Sequence, residues 1–223
     1  MRRKIVAVLI FGIGGIAILL ALGNWQVNRL AWKEGIIASL ERRLSADPAP
    51  LPAVLDPVAD KYMRVTVSGR YGPEEVHVLS AAKPWGPGYR IIAPFVTDDG
   101  RRILVDRGYV PQPDKDAPRD APAATVTGAL LWPDEMDGFT PDPDLAANIW
   151  FARDPDGLAA LLGTEPVMIV AEANPGEWPK AMPVSVNVKN DHLGYAVTWF
   201  GLAAVWAVMT VAVLLRIRRS GGI

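Results

Sequence analysis

The chain has 223 residues, a formal net charge of −1 and no cysteine. That length suits one domain of ordinary size plus anchoring segments, and the missing thiols exclude disulfides, thiolate catalysis, cysteine zinc sites and covalent c-type haem attachment. Arg2, Arg3, Lys4, Arg216, Arg218 and Arg219 stand at the extreme ends while all 24 acidic residues lie between Asn24 and His192, and an acidic middle argues against a nucleic-acid partner, which calls for a basic face.

Behind the first basic cluster, residues 5–23 form an uncharged apolar run. A signal peptide cleaved near Ala21-Leu22-Gly23 is one reading. The length of the apolar core and its unbroken passage into the next helical pattern favour a retained transmembrane helix. The string GIGGIA, Gly12 to Ala17, matches a dinucleotide-binding fingerprint only in letters, because no strand precedes it. Its glycines suit close helix packing, with Ala203 and Ala207 as the expected partners.

Residues 24–46 predict an amphipathic stalk helix. Leu30, Ile37 and Leu44 recur every seven residues with Lys33 and Leu40 between them, and Trp25, Arg29 and Trp32 share an adjoining face. Four prolines in residues 45–57 end that helix in an extended linker.

Residues 47–189 predict a β-rich domain. Strands are expected over 64–71, 76–79, 89–97, 102–110, 125–131, 148–151 and 166–173. Asp98-Asp99-Gly100 predicts a hairpin turn between the third and fourth of these. Residues 111–122 read as a charged, proline-rich loop that need not be ordered. Residues 154–162 read as a short helix with Asp154 as N-cap and Gly163 as C-cap. Short strands at this spacing predict one antiparallel, partly closed sheet with a small helix.

The second uncharged run, 193–215, makes a helix of about 35 Å, enough to cross a hydrocarbon core of roughly 30 Å. Both runs carry their basic flank on the outer side. The positive-inside rule therefore puts both termini in the cytoplasm and the intervening domain across the membrane, in the periplasm of a bacterium. The fold class expected is an α+β membrane protein in which two transmembrane helices flank a periplasmic, antiparallel, β-rich domain.

No H-E-x-x-H, G-x-S-x-G or P-loop string occurs, so an enzyme is not expected. His77 falls in a strand and reads as solvent-facing or hydrogen-bonded. His192 stands one residue before the second apolar run, and an ionisable group at that depth is a candidate site. One neutral imidazole there can ligate haem iron, with Tyr195 and Trp199 one and two turns along the helix and Arg29, Lys33 or Lys189 to pair propionates. A histidine facing headgroups and an interfacial aromatic belt explain the same residues without a ligand.

Three motifs carry a resemblance. LGNWQVNRLAWKEGII at 22–37 is similar to L-G-x-W-Q-x-x-R-L-x-W-K. GPGYRIIAPF at 86–95 and ILVDRGYVP at 103–111 are similar to G-Y-x-V-x-x-P-F and L-V-N-R-G-W-V-P. NDHLGYAVTWFGLA at 190–203 is similar to N-x-H-x-x-Y-A-x-x-W-F. Together they resemble the surfeit-locus (Surf/Shy) family of cytochrome c oxidase assembly factors. Asp106 and Tyr109 depart from the asparagine and tryptophan usual there.

The resemblance implies a two-span inner-membrane protein that assists haem a insertion into oxidase subunit I, alongside the haem a synthesis machinery. It makes His192 the candidate ligand of haem iron, with Tyr195 and Trp199 as cofactor contacts. It also marks Trp25, Gln26, Arg29, Trp32, Lys33, Tyr89, Arg107, Gly108 and Asn190 as motif or partner-binding positions. The rival expectation is a haem-free scaffold that holds an oxidase subunit during assembly.

Overall fold

The computed structural model describes residues 2–186 and 190–220. The chain divides into two compact units, Met1–Ser39 with Asn187–Ile223, and Leu40–Val186. Each has its own physical logic.

The first unit is a helix pair. Helix α1, Arg2–Ser45, runs without a break from the first apolar stretch into the amphipathic one, and its last turns belong to the second unit. No proline interrupts it, and Gly23-Asn24 at the junction is carried within the helix. The second helix of the pair, His192–Ser220, is α3, numbered after a short helix of the β unit. Both are long and apolar enough to cross a membrane.

The two helices pack through small residues. A Cβ at Gly12 would strike Thr210, one at Gly15 would strike Trp206, and one at Gly23 would strike Phe200. The expected small-on-small contacts with Ala203 and Ala207 are replaced by glycine notches that receive bulky side chains. Phe11 and Trp206 add an aromatic contact at 5.4 Å.

The second unit is β-rich. Its strands are β1 (Ala49–Pro50), β2 (Arg64–Tyr71), β3 (Val76–Ala82), β4 (Gly86–Thr97), β5 (Arg102–Pro111), β6 (Ala123–Leu131), β7 (Ile149–Trp150) and β8 (Met168–Ala171). Helix α2 (Pro155–Leu162) precedes β8. Strand β2 pairs with β6 and β4, β4 with β5, β5 with β8, and β8 with β6, so five strands close on themselves. Strand β3 leaves this ring along the first half of β4 and carries β7 at its outer edge.

The ring is not purely antiparallel. Strand β8 runs parallel to β5, β1 parallel to β2, and β7 parallel to β3. Residue alternation reports which face is buried and says nothing about the direction of the neighbour, which is where the antiparallel expectation goes wrong.

Burial on both faces explains why β5 reads as a nearly continuous apolar run. Ile103 and Val105 point into the ring with Val65, Phe95, Leu130 and Ile169, whereas Leu104 points outward onto Val76, Ile92, Met168 and Leu158 of α2. Each such fully buried side chain contributes about 1.5–3 kcal/mol relative to exposure. Helix α2 starts and stops where capping chemistry dictates. The Asp154 side chain accepts from the Asp156 amide at 3.2 Å, Pro155 occupies the first turn, and Gly163 takes the left-handed conformation at φ 62°.

The hairpin expected at Asp98-Asp99-Gly100 is present. Phe95 pairs with Ile103 across it, Gly100 sits at φ 89°, and its amide donates to the Thr97 carbonyl at 2.9 Å. Residues 45–57 carry β1 and so are more than a linker. The segment 111–122 is ordered: a 3₁₀ turn, Gln112–Asp114, opens it, and Arg119 buries its guanidinium against Glu75.

Candidate functional site

The first polar constellation lies in the helix pair. Two and three turns of α1 beyond the Gly15 notch, Gly23 and Gln26 are buried on the side that faces α3. Gln26 Oε1 stands 2.7 Å from His192 Nδ1. With the Gln26 amide oxygen as acceptor, Nδ1 is the donor, and a neutral ring then keeps its lone pair on Nε2. This is the arrangement that fits an imidazole for metal ligation: one ring nitrogen fixed by a hydrogen bond, the other left with its lone pair. Asn190 Oδ1 is buried close by in sequence and has no hydrogen-bond partner among the described residues.

His192, Trp199 and Trp206 recur every seven residues and fall on one side of α3. Ala196 and Ala203 are buried between them. Trp199 is half-buried on this stripe, while Tyr195 is 56 % exposed. On α1, Trp25 and Trp32 are exposed, and the Arg29 guanidinium lies 3.9 Å over the Trp32 ring. Lys33 follows Gln26 by seven residues and is half-buried on the same side. Lys189 lies outside the described residues. The fold therefore joins Gln26 to His192 and sets Trp199 on the same stripe, with Arg29 and Lys33 one and two turns beyond Gln26.

The remaining motif positions lie in the β unit and serve its architecture. Tyr89 of β4 is buried with its ring 6.2 Å from that of His77. Arg107 is the extra residue of a bulge in β5, because Ile91 pairs with Gly108 and Ile92 with Asp106. Gly108 takes φ 109°, and a Cβ there would fall on the Lys180 carbonyl, so the returning chain approaches only because the residue is glycine. The Arg107 guanidinium lies 4.5 Å over the Tyr71 ring and donates to the Asp120 carbonyl at 3.3 Å. Burial lowers its pKa, and the same burial raises that of Tyr71.

Two charge clusters escaped sequence reasoning. Of the two roles expected for His77, solvent-facing or hydrogen-bonded, the structure shows the hydrogen-bonded one. His77 is 4 % exposed, and its Nε2 lies 2.8 Å from Glu75, which also receives Arg119 at 2.5 Å. Asp106 is fully buried, takes Arg90 at 2.7 Å and Arg153 at 3.2 Å, and accepts the Gly108 amide at 3.0 Å. Arg153 in turn pairs with Glu135. The signal was available for the second cluster: an aspartate inside the run ILVDRGYV must find cations or stay out of the core. For the first, nothing in the sequence marks Arg119 as inward-facing. No group of three or more metal-ligating side chains occurs among the described residues.

The architecture defines a class: a small closed β-barrel unit inserted between two helices of membrane-spanning length, with a fixed imidazole at the head of the second helix. The SURF1 family model matches residues 14–204, and the chain belongs to that family. A SURF1-like protein of Monosiga brevicollis is 34 % identical, covering 90 % of this chain and 84 % of its own. Surfeit locus protein 1 of Homo sapiens is 33 % identical over 87 % of this chain and 73 % of its own length. A SURF1-like protein of the bacterium Rickettsia bellii is 29 % identical over 94 % and 89 %.

Proposed function

We propose that this chain is a membrane-anchored assembly factor for haem-copper (cytochrome c) oxidase, and that it holds haem a at His192 while the group passes to subunit I. The observation that carries the haem reading is the 2.7 Å contact between His192 Nδ1 and Gln26 Oε1. It leaves Nε2 as the iron ligand and fixes the plane in which the ring presents it. Trp199 would pack along the macrocycle, and Arg29 and Lys33 would pair the propionates. The bound iron would supply the ligation that retains an otherwise freely partitioning amphiphile. The chain's part is to bind, orient and release it, with no bond made or broken in the porphyrin.

The arrangement in the cell follows from charge. Residues 5–23 and 193–215 cross the bacterial inner membrane, 24–46 form the stalk, and 47–189 form the periplasmic domain, because the basic clusters at both ends stay on the cytoplasmic side. The working partners are then the lipid bilayer, oxidase subunit I and the haem a synthesis machinery. The test is purification of the full chain from cells with haem a synthesis intact. A stoichiometric haem a spectrum supports the reading. A colourless protein that still restores oxidase assembly to a deletion strain replaces it with the haem-free scaffold.

A further inference from the structure

The β unit carries a tip of three aromatic rings. Trp85 stands in the turn 83–85 between β3 and β4, and Trp178 in the chain that leaves β8. Both converge on Tyr109 of β5. The Trp85 ring stacks on that of Tyr109 at 5.9 Å, Trp178 meets it at 6.1 Å, and the two indoles meet edge to face at 5.6 Å.

Hydrogen bonds hold both loops to β5. The Tyr109 hydroxyl donates toward the Gly86 and Pro87 carbonyls, 3.0 Å from each. The amide and the carbonyl of Tyr109 pair with the carbonyl and the amide of Lys180, both at 2.8 Å. The Asn174 side-chain amide donates to the Arg107 carbonyl and, at 3.2 Å, to that of Pro179. Tyr109 is fully buried and props up the indoles, whereas Trp85 stays exposed with Pro84 and Pro87 beside it. A fixed apolar plate of this kind marks an interaction surface.

Charge says what the plate meets. Lys83 and Lys180 are exposed, each two positions from one of the indoles, with Glu177 as the one acid in these two loops. Phe139 is a more exposed aromatic, but its loop, 133–147, holds Asp134, Glu135, Asp137, Asp142 and Asp144 and no basic residue. An anionic bilayer surface repels that loop and receives the lysine-flanked one. Indole belongs at headgroup level, where its body is apolar and its N–H is wet. Such a surface is within reach, because fourteen positions separate Trp178 from His192, the first residue of a helix of membrane-spanning length.

We propose that the tip formed by Trp85 and Trp178 rests in the headgroup layer of an anionic bilayer, which gives the β unit a lipid contact of its own beside the two spanning helices. This rests on the membrane-anchored reading above and is independent of the haem site.

The chain has no cysteine, so each introduced thiol takes a fluorophore at one place. Pro175→Cys puts it beside the tip, Phe139→Cys on the acidic loop and Val205→Cys on the exposed face of α3. The full-length variants are placed in nanodiscs of phosphatidylcholine and phosphatidylglycerol, with a nitroxide lipid labelled at the headgroup or deep in the acyl chain. The headgroup nitroxide is expected to quench the probe at 175 and to spare the one at 139, and the deep nitroxide to quench the one at 205. Trp85→Ser should remove most of the quenching at 175, and so should Lys83→Glu combined with Lys180→Glu. A probe at 175 quenched no more than the one at 139 overturns the contact, while quenching at 205 leaves the spans standing. Quenching at 175 that survives either change also overturns it, because tethering alone then holds the unit near lipid. An unquenched probe at 205 overturns the membrane reading together with its extension.

Discussion

Gln26 and His192 stand 166 positions apart in the chain and share one hydrogen bond, 2.7 Å from amide oxygen to Nδ1. The bond does two things at once. It ties the middle of α1 to the first turn of α3, and with the amide oxygen as acceptor it leaves the other imidazole nitrogen for a ligand. Gln26→Leu removes the acceptor while nearly keeping the volume. Outer-shell partners of ligating histidines are worth about 10–100-fold in affinity, so haem binding by Gln26→Leu should fall within that range. Gln26→Glu keeps an acceptor oxygen in place and should retain binding. Titration of the two variants, followed at the Soret band, checks the pattern. Equal loss in both would mean that the residue matters for helix packing alone.

Asp106 predicts the largest stability effect in the β unit. It is fully buried between Arg90 and Arg153. Removing one partner of a buried ion pair leaves uncompensated charge and costs about 3–5 kcal/mol. Asp106→Ala should destabilise the protein by that order in denaturant unfolding. Asp106→Asn keeps the acceptor for the Gly108 amide and should lose less.

Glu75 predicts the acid limb of stability. Burial alone would raise its pKa, but hydrogen bonds from His77 and Arg119 outweigh this and hold it at about 2, against an ordinary 4.5. A depressed carboxylate contributes fully above its unfolded value. Its contribution is therefore complete above about pH 4.5 and is lost as pH falls through about 2, with roughly 3 kcal/mol as an upper limit. Denaturant unfolding measured across that window should show the slope in the unaltered protein and a flatter profile in Glu75→Gln. Identical slopes would remove Glu75 from the account.

The strands that were legible in the sequence are those whose side chains alternate around a turn signal. The hairpin at Asp98-Asp99-Gly100 needed only local chemistry, and so did the caps of α2 at Asp154 and Gly163. The direction of β8 was not legible, because Met168–Ala171 is buried on both faces and its neighbour is chosen by the crossover through α2. The apolar run of that strand did carry one cue, since continuous burial is the habit of parallel strands. His192 was legible from its place at the end of an apolar run. Gln26 was visible only as a motif position. Its role as the hydrogen-bond partner could have been read from the stripe, because it lies seven residues before Lys33, on the side that Leu30, Ile37 and Leu40 continue. The Glu75, His77 and Arg119 cluster was illegible because it joins a strand to a loop whose composition suggests solvent.

Topology gives a prediction of its own. A reporter active only in the periplasm, fused after Ile223, should be silent, and the same reporter inserted in the loop 133–147 should be active. The basic clusters at both ends are the reason. Activity at Ile223 would mean that α3 does not return the chain to the cytoplasm.

The central claim is that His192 holds haem iron, and the most direct measurement is the visible spectrum and haem stoichiometry of His192→Ala beside the unaltered protein, both purified as full chains from cells making haem a. A half-exposed residue at a helix end contributes little to stability, so the variant should insert and resist protease normally. It should lose most of its haem, and any residue bound should show a shifted Soret band, while His77→Ala keeps both stoichiometry and spectrum. Unchanged haem content and spectrum in His192→Ala would contradict the claim.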